Sequence, residues 1–153
     1  MTIDNTNIWN YRFMDMAHLV ATWSKDPSSK VGAVIVDANR RIISTGYNGL
    51  AIGVEDSIER LTNRDIKYKI ILHAEENAIM FAKRDLSGCS LYVTTLPPCA
   101  HCASLIIQSG IKTVYACKSD IPERWKESYD LTTAMFNESG VKLVFLDYEK
   151  QTH

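Results

Sequence analysis

CSLYVTTLPPCAHCASLIIQSGIKTVYAC, residues 89–117, is the stretch on which the fold turns. "CSLYVTT" is short and rich in β-branched and aromatic residues, the composition of a strand. "PPCAHCASLIIQSG" opens on prolines and closes on Gly110, the punctuation of a helix. "IKTVYAC" is a second strand. A strand–helix–strand connection of this length joins parallel neighbours, since antiparallel ones need only a tight turn. Downstream, "IPERWKESYDLTTAMFNESG" is amphipathic, ends at Gly140, and leads into the strand "VKLVFLD".

Upstream of this core the pattern changes. "VGAVIVD" and "RIISTGYNG" read as two strands joined by a polar turn, a hairpin. "HAEENAIMFAKR" is helical, with Ala78, Ile79, Phe81 and Ala82 expected on the buried side. "SIERLTNRDIKYKIIL" is charged and helical in its first part. Near the N-terminus, Ile8, Trp9, Phe13, Met16, Leu19, Val20 and Trp23 form a helical stripe, with Asn5 or Asn7 available as its cap, until "KDPSS" breaks it. The order α-β-β-α-β-α-β-α-β predicts an α/β protein: a five-stranded mixed sheet with helices on both faces. No internal repeat, low-complexity segment or linker divides it, so residues 1–153 are expected to form one domain.

Composition narrows the function classes. With 153 residues, 46% hydrophobic, the chain can bury a full core without disulfides. Four cysteines (Cys89, Cys99, Cys102, Cys117) are too few for a disulfide scaffold at this length. The apolar residues of the N-terminus are interrupted by Asp4, Arg12 and Asp15, unlike a secretory signal, and no apolar run is long enough for a bilayer. The expectation is a cytoplasmic protein with no membrane partner. A formal net charge of −1 shows none of the basic surplus that phosphate neutralisation demands, which argues against a polynucleotide partner.

Two of the four cysteines fall within four positions, at Cys99 and Cys102. By itself C-x-x-C serves as a redox pair, a structural zinc clip or a catalytic metal site. His73-Ala74-Glu75 stands 26 positions earlier and Pro98 directly precedes the first cysteine, spelling H-x-E…P-C-x-x-C. This is the signature of zinc-dependent nucleobase deaminases. His73, Cys99 and Cys102 offer one nitrogen and two thiolates to a single tetrahedral zinc ion. The fourth position is left for water, as catalytic rather than structural sites require. Helix N-termini at both ligand groups favour thiolate over thiol. Glu75, two residues from a ligand, can reach the activated water and shuttle its proton without ligating the metal. A redox pair has no use for His-x-Glu. A structural clip needs a fourth protein ligand, and His101, between the two cysteines, does not readily turn to the same ion. Cys89 and Cys117 read as small core residues and His18 as a packed or surface histidine.

Beyond this motif, "DPSSKVGAVIV", "STGYNG", "KYKIILHAEENAI" and "TLPPCAHCASLIIQSGI", from Asp26 to Ile111, resemble the deoxycytidylate (dCMP) deaminase family. The resemblance implies the three-layer α/β/α cytidine-deaminase-like fold and hydrolysis of dCMP to dUMP, with a nucleotide as the small-molecule partner. It implies that Asn48 contacts the deoxyribose and that the Ala74 backbone N–H binds the pyrimidine carbonyl. It places the 5′-phosphate near Ser28, Ser29 and Lys30, although relatives often carry arginine around Ser28; Lys30 reads equally as a solvated charge. Assembly as a homo-oligomer, a dimer or hexamer, is also implied. Allosteric members hold a second zinc in an insertion before H-A-E. This chain has no cysteine between Asn48 and His73, so one ion per chain is expected and control by dCTP and dTTP is not implied. Trp125 or Tyr129 would close over the substrate, with helix packing the plainer reading. The rival readings are a deaminase of another cytosine nucleotide or modified cytosine, a tRNA adenosine deaminase, and a non-catalytic zinc-binding interaction module.

Overall fold

A computed structural model describes residues 5–149, with the side chains of residues 5–7 outside the description. The caps expected at Asn5 and Asn7 therefore lie outside the described residues. In chain order the elements are α1 (Asn5–Ala21), β1 (Gly32–Val36), β2 (Ile42–Tyr47), α2 (Ile58–Thr62), α3 (Arg64–Ile70), α4 (Ala74–Ala82), β3 (Ser90–Val93), α5 (Ala100–Ser109), β4 (Thr113–Cys117), α6 (Lys126–Ser139) and β5 (Lys142–Leu146), with a 3₁₀ turn at Glu123–Trp125 before α6. The five strands form one sheet in the order β2-β1-β3-β4-β5. β1 runs antiparallel to both β2 and β3, whereas β3, β4 and β5 are mutually parallel. The mixed α/β sheet expected from the helical crossovers is thus the observed one.

β1 is buried on both faces, and alternation sends its side chains to two separate cores. Ala33 and Ile35 join Leu91, Val93, Val114 and Ala116 under α4, α5 and α6, where Ala78, Ile106 and Phe136 complete the packing. Val34 and Val36 face the other way, onto Phe13, Met14, Ala17 and Val20 of α1.

The helices that cover the hairpin keep part of the expected stripe: Phe13, Val20 and Ala78 are buried and Trp9, Met16, Ile79 and Ala82 pack against the cores, while Ile8, Leu19 and Phe81 lie outside. On α1 the buried residues are Phe13, Met14, Ala17, Val20 and Ala21, while Ile8 and Leu19, and Trp23 just past its end, are exposed. On α4, Ala74, Glu75 and Ala78 are buried and Phe81 is exposed. The cause is the same in each. α1 lies so close to β1 that a Cβ on Gly32 would stand 2.0 Å from the Ala17 carbonyl oxygen, and α4 lies so close to β2 that one on Gly46 would stand 2.3 Å from that of Ala74. Small residues, not large ones, face the sheet where backbones approach this closely.

The segment 57–72, expected to be helical in its first part, forms two short helices, α2 and α3. Ser57 and Asn63 accept first-turn N–H groups at their starts. A two-bond bridge between Gly49 and Leu72, at 3.1 and 2.8 Å, then delivers the chain to His73.

Candidate active site

The ends of the strands bring four loops to one rim of the sheet: the turn before β1 and the loops after β2, β3 and β4. Ligands of α/β sheets gather at the carboxyl ends of parallel strands, where connections diverge to either side. A cavity of about 610 Å³ opens there, with His73, Ala74, Glu75, Pro98 and Cys99 among its lining residues. Its walls come from Asp26, Ser28, Ser29 and Asn48 on one side, Thr62, Arg64, Lys67 and Tyr68 on another, and Trp125, Ser128 and Tyr129 on a third.

His73 is the residue before α4 and Cys99 the residue before α5, so both metal-ligand groups sit at helix starts. The Glu76 carboxylate accepts the His73 backbone N–H at 3.0 Å and fixes the entry to α4. His73 Nδ1 lies 3.5 Å from Cys99 Sγ and 3.3 Å from Cys102 Sγ. These are close to the roughly 3.5 Å nitrogen–sulfur edge that tetrahedral zinc bonds of about 2.0 and 2.3 Å define. The three donor atoms all lie within 4.8 Å of one another, the one such grouping of metal-binding side chains among the described residues. The donor set and its spacing therefore fit zinc.

Cys102 donates to Cys99, which lowers the Cys99 pKa to about 4, and this same bond raises that of Cys102 far above the usual thiol range. The bond to Cys99 raises His73 to about 9. Metal ligands must be deprotonated, so zinc binding to this donor set would release protons and strengthen as pH rises.

Glu75 is 5% exposed, on the first turn of α4. Burial raises its pKa to about 7, against the lowering effects of its own backbone N–H and of His73. The carboxyl group can therefore take up and release a proton near neutrality, as an acid–base catalyst must. Ala74 is fully buried and belongs to the first turn, whose N–H groups have no partner within the helix.

The predicted substrate contacts divide. Ser28, Asn48 and Ala74 line the cavity, but Lys30 is exposed and outside its lining. Both N–H groups of the Asn48 amide are engaged, with Asp26 Oδ2 at 3.2 Å and the Ser29 carbonyl at 2.8 Å, and its Oδ1 accepts Val31 N–H at 2.9 Å. Trp125 and Tyr129 both line the cavity, and Tyr129 also packs at 6.5 Å on the Phe145 ring.

Sequence reading missed two sets of residues. Arg64, Lys67 and Tyr68 share one side of α3, and their i, i+3, i+4 spacing was the available signal. On α6, Ser128 Oγ accepts the Ala100 N–H at 2.9 Å, and buried Thr132 donates to the Pro98 carbonyl at 2.9 Å. With Trp125 and Tyr129 they make one helical face, which clamps the turn carrying Cys99.

Known proteins agree with this geometry. Residues 7–118 match the family described as "Cytidine and deoxycytidylate deaminase zinc-binding region". An "Uncharacterized deaminase in luxG 3'region" of Aliivibrio fischeri is 51% identical over 140 residues, covering 90% of this chain and 93% of that protein. The deoxycytidylate deaminase of Homo sapiens is 43% identical over 141 residues, covering 87% of this chain and 76% of its own. Among solved structures, the dCMP deaminase of cyanophage S-TIM5 in complex with dCMP and dUMP superposes with a TM-score of 0.69 at 25% identity, over 95% of this chain and 99% of that one.

Proposed function

The chain belongs to the cytidine and deoxycytidylate deaminase family, and from that premise we infer that it is a zinc-dependent hydrolase converting dCMP and water to dUMP and ammonia. The observation that carries the reading is the cavity floor, where a buried acid–base carboxyl lies two residues from a ready-made zinc site.

His73, Cys99 and Cys102 hold the ion. When bound, zinc supplies the Lewis acidity that makes water nucleophilic near neutral pH. Glu75 accepts the proton that the attacking water loses and delivers it to ring N3. It then carries a second proton to the departing amine, so that one carboxyl serves as base and acid in turn. The Ala74 N–H binds the pyrimidine carbonyl and orients the ring over Glu75. Asn48 faces the sugar through the remaining lone pair of its Oδ1, its N–H groups being engaged. At the phosphate end the Ser28 and Ser29 hydroxyls are joined by the Arg64 and Arg124 guanidinium groups, which line the cavity where Lys30 does not. Trp125 and Tyr129 supply the apolar wall.

Residues 1–153 act as one unit in this reading, and the protein works in a reducing, cytoplasmic setting, consistent with four unpaired thiols. No described helix is long and apolar enough to cross a membrane. Self-association to a dimer or hexamer is supported by exposed Met80 and Phe81 on α4 and by exposed Ile52 and Ile58; light scattering of the purified protein tests it.

The decisive experiment measures ammonia release from dCMP, CMP, deoxycytidine, cytosine, dAMP and a tRNA anticodon stem-loop, with Glu75→Gln as control. Turnover of dCMP that falls about 10²–10⁴-fold in the variant, at unchanged zinc content, is expected. Silence on dCMP with turnover of another compound would remove the substrate and keep the chemistry.

A further inference from the structure

Lys67 and Asp26 form a buried ion pair that the deamination chemistry does not use. Lys67 Nζ lies 2.9 Å from Asp26 Oδ1 and 2.7 Å from Oδ2, with the two side chains only 10% and 1% exposed. A buried charge is costly unless paired and hydrogen-bonded, and Asp26 meets both conditions. Besides the ammonium, Oδ1 accepts the backbone N–H groups of Ser28 and Ser29, at 2.8 and 3.2 Å, and Oδ2 accepts the Asn48 amide at 3.2 Å. The Ser24 hydroxyl closes the group by donating to the Asn48 carbonyl at 2.8 Å and accepting the Asp26 N–H at 3.2 Å.

Every partner of Asp26 except Lys67 belongs to the turn before β1 or the loop after β2. Lys67 comes from α3, and so joins a third segment to the other two. α3 is a helix of only seven residues, too short to hold its position through its own hydrogen bonds. Its other fixed points are the Asn63 cap at one end and the Gly49–Leu72 bridge at the other. The ion pair lies between them, on the side of the helix that lines the cavity.

We propose that Lys67 is a positioning residue: its ion pair with Asp26 latches α3 onto the Ser28–Ser29 turn and Asn48, and so holds the sugar and phosphate end of the cavity in its binding shape before a nucleotide arrives. The zinc site and Glu75 stand on α4 and α5 and do not depend on this latch. Loss of Lys67 therefore weakens nucleotide binding and leaves the chemical step largely intact, the pattern of uniform binding loss. The substrate side of this inference rests on the reading as a dCMP deaminase; the latch itself does not.

The test uses zinc-loaded Lys67→Met, Lys67→Arg and the double variant Asp26→Asn/Lys67→Met. The double variant leaves no unpaired buried carboxylate and serves if the single one fails to fold. The expected result for Lys67→Met is full zinc content, a KM for dCMP raised about ten-fold or more, and kcat within about three-fold of the parent, with Lys67→Arg recovering most of the KM. Amide hydrogen exchange should show protection lost together in residues 26–31 and 64–71 and retained in α4 and α5. Unchanged KM in a folded variant, an equal fall in kcat, or a loss of protection spread over the whole sheet would overturn the proposal. Exchange confined to α3, with residues 26–31 still protected, would overturn it as well. If the parent turns over a nucleotide other than dCMP, the substrate reading fails, and the exchange experiment still decides the latch.

Discussion

The floor and the rim of the cavity are built on different physical principles. The floor is made of the starts of α4 and α5, whose donors are set by helix geometry and by close packing on the sheet. Ala74, Ala78, Cys102 and Ala103 are fully buried there. The rim comes from two seven-residue-or-shorter helices, a 3₁₀ turn and the first turns of α6. It is held by side-chain hydrogen bonds and by two ion pairs, Lys67–Asp26 buried and Lys25–Asp56 nearer the surface, rather than by an apolar core. Leu61 is the one buried large apolar residue that α2 and α3 contribute. A reacting atom must be placed within fractions of an ångström, so chemistry belongs on the rigid part. Admission and recognition of the nucleotide belong on the part that can adjust.

The comparison breaks if damage to the floor acts like damage to the rim. Replacing a floor ligand should have the largest effect of any single substitution. Cys102→Ser removes a thiolate from the donor set, and zinc should be lost on dialysis against a mild chelator. Activity should fall at least about 10³-fold, with KM inaccessible rather than raised. Metal analysis after dialysis checks this. Retained zinc with a simple rise in KM would place Cys102 outside the donor set.

Next in size is a change that never touches the site. Gly46→Ala puts a Cβ 2.3 Å from the Ala74 oxygen and 2.4 Å from the Ala78 nitrogen, both backbone atoms of α4. Helix or strand must move, at a cost of about 3 kcal/mol. For a chain of this size that corresponds to a fall in Tm of about 6–12 °C. Because α4 carries Glu75, kcat should fall with stability. A Tm within 2 °C of the parent would show that the floor is more compliant than its packing indicates.

The same close packing explains what could be read in the sequence and what could not. H-x-E and P-C-x-x-C were legible because ligand spacing on helix starts leaves a fixed signature, and the crossovers after β3 and β4 dictated parallel strands. The registers of α1 and α4 were legible only in part, because large residues carry the periodic signal while Gly32 and Gly46 let alanines make the closest contacts. Phe81 and Leu19 were expected inside and lie outside for that reason. Lys67 was hidden more deeply. A lysine in a charged segment reads as solvated, and nothing local to it reveals that a carboxylate 41 positions away in sequence will be buried against it. Ser128 and Thr132 share this difficulty, since their partners Ala100 and Pro98 are 28 and 34 positions distant. Motifs that act through local geometry are visible early; walls assembled by long-range hydrogen bonds are not.

A subtler effect on the floor has the opposite sign. In the metal-free protein the Glu75 pKa is raised to about 7 from 4.5, so folding disfavours its ionised form. A raised carboxylate pKa costs stability as pH rises from 4.5 to 7, and the full cost remains above that window. Glu75→Gln removes it, so the metal-free variant should be about 2–3 kcal/mol more stable than the parent at pH 8 and nearly equal to it at pH 4. Chemical denaturation at the two pH values, after removal of zinc, measures the difference. A variant that is inactive yet more stable would show that the floor holds its catalytic carboxyl at the expense of folding stability. Equal stability at both pH values would mean that water reaches Glu75 more freely than its burial allows.

The smallest effect separates the two basic regions near the proposed phosphate end of the cavity. Lys30 is exposed and outside the cavity lining, whereas Arg64 of α3 is part of it. A mobile ammonium in water contributes little to a bound anion, because solvent and salt screen it. Lys30→Ala should therefore change the KM for dCMP less than two-fold, and Arg64→Ala should raise it several-fold, with the difference shrinking as salt is added. For deoxycytidine, which has no phosphate, neither substitution should matter. If Lys30→Ala proves the more damaging of the two, the nucleotide must lean toward the turn before β1 rather than toward α3. The rim would then close by moving that turn inward, and the phosphate would be held by the segment that the sequence motif first indicated.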